Sequence, residues 1–260
     1  MPGPTPQGTS ECTGLLVVMP TYNERATLPG TLHRLRRAVP LAHVLVVDDG
    51  SPDGTGDWAD QAAAEDGSIH VLHRTAKDGL GPAYLAGFEW GFEHGFDVIV
   101  EMDADASHRP EQLPRLLDAI QDGADLAIGS RWIPGGRVHD WPLHRLLLSR
   151  GANLYVRLWL ALPVHDATAG FRAYRGDLLR VLMRESVASQ GYCFQVDMTR
   201  RAWAAGADIR EVPIDFDERT DGVSKMSSRI VREALVRVTL WGIQRRWRQL
   251  KSLLRQGRRR

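Results

Sequence analysis

The amino-acid sequence predicts an α/β fold built on a mostly parallel sheet that is flanked by helices. Along the first half, short apolar runs that end at turns alternate with segments whose apolar residues recur every three or four positions. This alternation is typical of right-handed βαβ units, which place parallel strands side by side and cover both faces of the sheet. A length of 260 residues allows one large α/β domain with a substantial core, or two small ones.

The strands and helices of the first half follow one another in regular order. The apolar run at residues 15–20 predicts a buried strand, and Leu28, Leu32 and Leu35 share one face of the helix predicted after it. The later predicted elements are a strand at 44–48, a helix at 55–64, a strand at 69–72, a helix at 81–94, a strand at 98–102, a helix at 111–121 and a strand at 126–128. The less regular second half predicts helices at 146–160 and 194–205, a strand at 209–214 and a helix from 227 onward.

The charge of the chain is unevenly distributed. The net charge is +1, but nine Lys or Arg residues and no acidic residue follow Glu233, so the preceding part carries 24 cations and 32 anions. Trp247, Leu250 and Leu254 stand at helical spacing in this basic tail, a pattern that suits an anionic membrane surface. A solvated terminal helix is equally compatible with it, and nucleic-acid binding is disfavoured. The most apolar stretch, residues 152–164, is too short to predict a membrane span.

Polar residues collect where the predicted strands end. Ligands of open α/β sheets bind beyond the carboxyl ends of the strands, so these residues predict a ligand site at one edge of the sheet. They occupy positions 20–24, 48–54, 103–105 and 129–131. Individual polar residues at these strand ends could instead have a purely structural role, since Asn23 and Asp53 can cap helices.

Asp103 and Asp105 form a carboxylate pair in the loop after a predicted strand. Two hard oxygen ligands at this spacing suit Mg²⁺ or Mn²⁺, particularly when phosphates complete the coordination shell. The alternative to a metal site is that the two aspartates form a turn that leads into the next helix. The sequence contains neither a G-x-G-x-x-G after the first strand nor a G-x-x-x-x-G-K-[ST], which disfavours a dinucleotide oxidoreductase and excludes a P-loop nucleotidase.

Six short motifs, in this order, resemble those of the family 2 glycosyltransferases of GT-A fold. They are Pro-Thr-Tyr-Asn-Glu at 20–24, Val-Asp-Asp-Gly-Ser-Pro-Asp-Gly-Thr at 47–55, Gly-Leu-Gly at 79–81, Met-Asp-Ala-Asp at 102–105, Gly-Ser-Arg at 129–131 and Gly-Phe-Arg at 170–172. The chain is most similar to the branch that contains the dolichol-phosphate mannose synthases and their bacterial polyprenol counterparts. The resemblance implies a disordered tail at 1–14, one domain at 15–244 with a nucleotide-binding half (15–131) and an acceptor half (132–244), and a basic tail at 245–260.

The resemblance also implies roles for individual residues. Residues expected to bind the sugar-nucleotide donor are Pro20, Tyr22, Glu24, Asp49, Arg74, Lys77 and Asp103. Residues expected to bind the acceptor phosphate are Arg131, Arg145, Ser149, Arg219 and Lys225. Asp103, Asp105 and Arg131 are expected to be catalytic, and the two aspartates to hold the metal ion. Ser107 stands where many relatives carry Gln, so the third protein ligand of the metal stays open. Gln195 and Asp197 are further candidates for contact with the sugar.

The implied reaction is transfer of mannose from GDP-mannose to a polyprenyl monophosphate, with inversion, at the cytoplasmic face of the cell membrane. A phosphate monoester with a second pKa of about 6 is already a nucleophile at neutral pH, so the reaction needs no general base. The apolar residues near Arg145 and those around Leu240 predict interfacial amphipathic helices that contact the isoprenoid or the bilayer. A glucosyltransferase that uses a UDP-sugar, a non-catalytic sugar-nucleotide-binding subunit and a separate membrane-anchoring protein stay open.

Overall fold

The computed structural model describes residues 14–185, 187, 192–218 and 228–257. Every helix and strand predicted from the sequence is present, with ends that differ by at most three residues. In chain order the elements are β1 (Leu15–Thr21), α1 (Leu28–Ala38), β2 (His43–Asp48), α2 (Thr55–Glu65), β3 (Ile69–His73), α3 (Leu80–Glu93), β4 (Val98–Glu101), a 3₁₀ turn (Pro110–Gln112), α4 (Leu113–Gln121), β5 (Leu126–Ser130), β6 (Arg137–Val138), α5 (Leu143–Leu160), β7 (Arg172–Arg175), α6 (Gly176–Leu182), α7 (Tyr192–Ala204), β8 (Ile209–Pro213), β9 (Asp215–Phe216) and α8 (Ser228–Gly257).

The predicted mostly parallel sheet is confirmed. Its strand order is β3-β2-β1-β4-β7-β5-β8, and β6 pairs with β9 in a separate two-stranded sheet. Strand β7 is antiparallel to both β4 and β5, whereas the other pairings in the large sheet are parallel. The carboxyl ends of β1, β2, β4 and β5 therefore meet at one edge.

Strand β7 was not predicted, because it has no apolar run. Its residues read Arg-Ala-Tyr-Arg, and Arg172 is fully buried opposite Glu101 of β4. The guanidinium of Arg172 donates to the carbonyls of Ala167 and Ala169 and to the hydroxyl of Thr199. A buried charge is tolerated here because its donors are satisfied. The strands β6 and β9 and the helix α6 were likewise not predicted.

The core lies on both faces of the large sheet. Leu16 and Val18 of β1 pack on the side covered by α3, α5 and α7, and Val17 and Met19 pack on the side covered by α1 and α4. This alternation follows from the two-residue period of a strand. Because both faces are buried, the sheet is a rigid support for the loops at its carboxyl edge.

The predicted domain boundary at residue 244 falls inside a continuous helix, since α8 runs from Ser228 to Gly257. The division into residues 15–244 and 245–260 remains a prediction. Of the predicted N-terminal tail, the structure describes Gly14, whose carbonyl accepts hydrogen bonds from the backbone of Asp97 and Val98. Residues 1–13 and 258–260 lie outside the described part of the chain.

The amino-terminal edge of the sheet carries a pair of histidines that makes stability depend on pH. His43 Nδ1 lies 3.0 Å from His70 Nε2, and the two rings stack. Burial lowers the pKa of His70, and the charges of His43 and His94 lower it further. A His whose pKa is lower in the folded state binds fewer protons there, so folding stability falls as the pH falls below its ordinary pKa of about 6.5.

We therefore expect His70→Phe, which keeps an aromatic ring in place, to change the difference in stability between pH 5.5 and pH 7.5 in favour of pH 5.5, as measured by denaturant unfolding. His33→Gln, at an exposed position of α1, is the control and should leave the difference unchanged. An unchanged difference between the two pH values in His70→Phe would contradict the assignment.

Candidate active site

A polar cavity of about 420 Å³ lies at the carboxyl edge of the sheet. The structure brings most of the predicted site residues together around it. Those that line the cavity are Pro20, Tyr22, Glu24, Asp49, Lys77, Asp103, Asp105, Arg131 and Arg145. Their common position follows from the topology, because parallel strands deliver the loops that follow them to the same edge.

The end of the cavity near β1 and β2 is formed by an ion pair and a cation–π contact. Arg74 Nη1 donates to Asp49 Oδ1 at 2.6 Å, and Lys77 Nζ lies 3.6 Å from the centroid of the Tyr22 ring. Burial raises the pKa of Asp49, and Arg74 opposes this rise. Arg74 itself does not line the cavity. Its contact with Asp49 instead orients a carboxylate that does.

The loops after β1 and β2 are joined by hydrogen bonds, which makes this end of the cavity preformed. The backbone amide of Asn23 donates to Ser51 Oγ, and the amide of Glu24 donates to Thr55 Oγ1. Asp48 Oδ1 accepts from the hydroxyls of both Thr21 and Ser51. Little ordering of these loops is needed when a ligand binds.

Asp103 and Asp105 are held in place by separate hydrogen-bond donors. The Tyr84 hydroxyl donates to Asp103 Oδ1 at 3.1 Å, and burial raises the pKa of Tyr84 well above its ordinary value, which keeps the hydroxyl protonated. Asp105 is 3% exposed, and its Oδ1 accepts from both the amide and the hydroxyl of Ser107. Ser107 therefore orients Asp105. Among the described residues, no group of three or more His, Cys, Asp or Glu side chains is arranged to hold a metal ion.

Arg131 forms a buried two-point ion pair with Asp166. Arg131 Nε and Nη2 each lie 2.7 Å from an oxygen of Asp166, and Nη2 also donates to Thr168 Oγ1. Burial would raise the pKa of Asp166, but the Arg131 guanidinium outweighs it and holds this pKa below its ordinary value. Both side chains are nearly inaccessible, so the direction of the guanidinium is strongly defined.

A second cavity of about 410 Å³ adjoins the polar one and lies between α5 and α8. Its walls are mostly apolar and include Leu147, Leu148 and Tyr155 of α5 and Leu235 and Val238 of α8. The residues that line both cavities are Arg131, Trp141, Arg145 and Thr168. Ser149 lines the apolar cavity only. A ligand with an anionic head and an apolar chain would fit across this junction.

Helices α5 and α8 approach each other closely at Gly242. A Cβ atom at this position would overlap the indole ring of Trp159. The Trp159 indole N–H donates to the carbonyl of Thr239 at 3.0 Å, and the Tyr155 hydroxyl lies 2.7 Å from the Thr239 hydroxyl. These contacts hold α8 against α5 and close one side of the apolar cavity.

Several residues of the site were not predicted from the sequence. Trp141 and Thr168 line the polar cavity and Tyr84 donates to Asp103, but none of the three stands in a recognised motif. Of the two further candidates for sugar contact, Gln195 lines the cavity and donates to Glu101, whereas Asp197 pairs with two arginines of its own helix. The predicted phosphate ligands at positions 219 and 225, Arg219 and Lys225, lie outside the described residues, and their roles remain predictions.

Residues 16–183 match the model of the family "Glycosyl transferase family 2". The chain is 60% identical over 240 residues to an undecaprenyl-phosphate mannosyltransferase of Micrococcus luteus, an alignment that covers 92% of this chain and 98% of that protein. It is 55% identical to a polyprenol monophosphomannose synthase of Mycolicibacterium smegmatis, covering 92% of this chain and 91% of the relative.

Among solved structures, the fold is similar to that of glucosyl-3-phosphoglycerate synthase from Mycobacterium tuberculosis. Its complex with Mn²⁺, UDP-glucose and phosphoglyceric acid superposes with a TM-score of 0.66 at 18% identity, covering 88% of this chain and 79% of that one. At this identity the likeness concerns the fold alone.

Proposed function

The chain belongs to glycosyltransferase family 2, and from this premise we propose that it transfers mannose from GDP-mannose to a polyprenyl monophosphate. It is a glycosyltransferase of α/β fold, and mannosyl transfer to a polyprenyl phosphate is the activity of its close relatives. The observation that carries the proposal is the junction of the two cavities: a polar cavity with a carboxylate pair meets an apolar one at Arg131 and Arg145. GDP as the donor nucleotide is our proposal.

The polar cavity suits a sugar nucleotide with a divalent cation. Asp103 and Asp105 offer hard carboxylate oxygens, the donor set that Mg²⁺ and Mn²⁺ prefer, and diphosphate oxygens can complete the shell. The structural neighbour, which shares the fold, was solved with Mn²⁺ and a sugar nucleotide. When bound, such a cation stabilises the negative charge on the departing nucleoside diphosphate. We propose that Asp49 and Tyr22 contact the nucleoside.

The arginines suit the acceptor phosphate. A phosphate monoester is largely a dianion at neutral pH and attacks without a general base. What remains for the protein is to position this dianion beside the anomeric carbon, and the planar guanidinium binds phosphate in two-point geometry. Arg131 and Arg145 line both cavities and would meet the phosphate there, with Ser149 on the apolar side. Single displacement inverts the anomeric centre, so an α-linked donor gives a β-linked product.

The isoprenoid chain of the acceptor would lie in the apolar cavity, whose outer wall depends on the contact of α8 with α5. We expect Gly242→Ala to push α8 away from Trp159, to lower the free energy of unfolding by about 1–3 kcal/mol and to raise the KM for polyprenyl phosphate more than the KM for GDP-mannose. The checks are denaturant unfolding and steady-state kinetics.

Gly30→Ala is the matched control, because an added Cβ in α1 meets no atom within 4 Å. This control should be neutral or slightly stabilising. Equal KM changes for both substrates in Gly242→Ala would argue against an acceptor site between the two helices.

Two apolar stripes lie on α5 and α8, the helices that form most of the apolar cavity. Leu143, Leu147, Leu154 and Leu158 are exposed along α5, and Val236, Leu240, Ile243 and Trp247 are exposed along α8. Their spacings of three, four and seven place each set on one helical face. Among the described residues, no helix is long and apolar enough to cross a membrane. We propose that the stripes rest on the cytoplasmic face of the membrane, where the lipid acceptor enters.

We expect the double variant Leu158→Glu/Leu240→Glu to bind vesicles that contain anionic lipid about tenfold more weakly, since each leucine buries apolar area at the interface. The measurement is co-sedimentation with vesicles. Leu41→Glu, at a position that is 90% exposed in the loop between α1 and β2, is the control and should bind like the wild type. Equal weakening by the control would show that only net charge matters.

The proposed function is tested by transfer of radiolabelled mannose from GDP-mannose to undecaprenyl phosphate in vesicles, with and without EDTA, and with UDP-glucose in parallel. We expect a mannolipid that forms only when divalent cation is present. Activity with UDP-glucose alone would keep the chemistry but overturn the donor. Metal-dependent binding of GDP-mannose without any lipid product would favour the non-catalytic sugar-nucleotide-binding subunit.

A further inference from the structure

Trp141 occupies the junction of the two cavities and contacts both arginines. The centroid of its ring lies 4.0 Å from Arg145 Cζ and 5.6 Å from Arg131 Cζ. The ring is held by edge-to-face contacts with Phe216 and Trp132. Trp141 lines both cavities, Phe216 lines the polar cavity only, and Trp132 lines neither.

The two arginines are oriented in different ways. Arg131 has a buried carboxylate partner, Asp166, which defines its direction through two hydrogen bonds. Arg145 has one bond of 2.8 Å to Glu218, a carboxylate whose side chain is 37% exposed. A single bond to a partly exposed carboxylate defines the direction of a guanidinium poorly. The face of Trp141 supplies the second constraint, because a guanidinium over an indole ring is attracted by its electron-rich face.

We propose that Trp141 is a positioning residue that holds the Arg145 guanidinium at the junction, so that the acceptor phosphate meets two arginines that are already oriented. The proposal rests on the function proposed above. Its physical basis is that a donor held in place before binding loses less conformational freedom when the phosphate arrives. The indole N–H of Trp141 is buried without a hydrogen-bond partner among the described residues, so the indole acts through its face.

The test compares Trp141→Phe, which keeps an aromatic face, with Trp141→Leu, which removes it. We expect Trp141→Leu to raise the KM for polyprenyl phosphate about tenfold with little change in the KM for GDP-mannose, and Trp141→Phe to recover most of the loss. Trp58→Leu is the matched control. It removes an indole of α2 whose ring also lies near an arginine, Arg25, but that lines neither cavity.

The same substitution is then made in an Arg145→Ala background. If Trp141 acts through Arg145, Trp141→Leu should add little there. Additive losses, a Phe variant as poor as the Leu variant, or an effect of Trp58→Leu equal to that of Trp141→Leu would each overturn the proposal.

Binding of farnesyl phosphate, measured by titration calorimetry, provides a readout that does not depend on the donor. Wild-type protein that binds farnesyl phosphate but forms no mannolipid would refute the proposed donor while still testing Trp141. We expect weaker binding in Trp141→Leu and near wild-type binding in Trp58→Leu. Unchanged binding in Trp141→Leu, or no binding by the wild type, would refute the positioning role.

Discussion

Asp105→Asn is expected to reduce mannosyl transfer by at least about a thousandfold in kcat, because it removes one of two carboxylates proposed to hold the divalent cation. Asparagine has the same shape, and its carbonyl oxygen can still accept the hydrogen bonds from the amide and hydroxyl of Ser107. The loss would therefore arise from charge and metal affinity and not from a changed fold. The measurement is the initial rate of transfer as a function of Mg²⁺ or Mn²⁺ concentration.

A binding readout separates this effect from misfolding. Wild-type Tm should rise with GDP-mannose when the divalent ion is present, since a ligand that binds only the folded state stabilises it. The variant should keep the wild-type Tm without ligand and lose the increase. Asp122→Asn, at an exposed helix end, is the control and should behave like the wild type. Near wild-type kcat for Asp105→Asn at saturating metal would contradict a metal site at this carboxylate.

The second large effect is expected from the buried pair of Arg131 and Asp166. Asp166→Leu removes the carboxylate that binds the buried Arg131 guanidinium at two points, and breaking such a pair costs about 3–5 kcal/mol of stability. Transfer activity should also be lost, because the direction of Arg131 depends on both oxygens of Asp166. The measurements are denaturant unfolding and the rate of mannolipid formation.

The double variant Arg131→Met/Asp166→Leu distinguishes the two roles of the pair. Replacing both members of a buried ion pair by apolar residues is often neutral in stability, so most of the lost stability should return. Activity should not return, because the acceptor phosphate would still lack Arg131. A double variant that regains both stability and activity would show that Arg131 serves folding alone.

The sequence by itself determined the order of the strands and helices in the first half of the chain and the edge of the sheet at which the site lies. Apolar runs such as residues 15–20 and 44–48 are local patterns, and in a parallel sheet the residues that follow such strands meet at one edge whatever the distant packing. For this reason the strand ends alone predict that Tyr22, Asp49 and the Asp103–Asp105 pair surround one cavity, as they do.

The tertiary structure alone decided the antiparallel strand β7, the pairing of Arg131 with Asp166 and the position of Trp141. Strand β7 is buried without an apolar run, because Arg172 donates hydrogen bonds to the carbonyls of Ala167 and Ala169, so no local pattern marks the strand. The residues of the Arg131–Asp166 pair are 35 positions apart, and the apolar cavity forms only where α5 meets α8. Contacts between distant segments depend on how completed elements pack together, and periodicity within one segment carries no information about that packing.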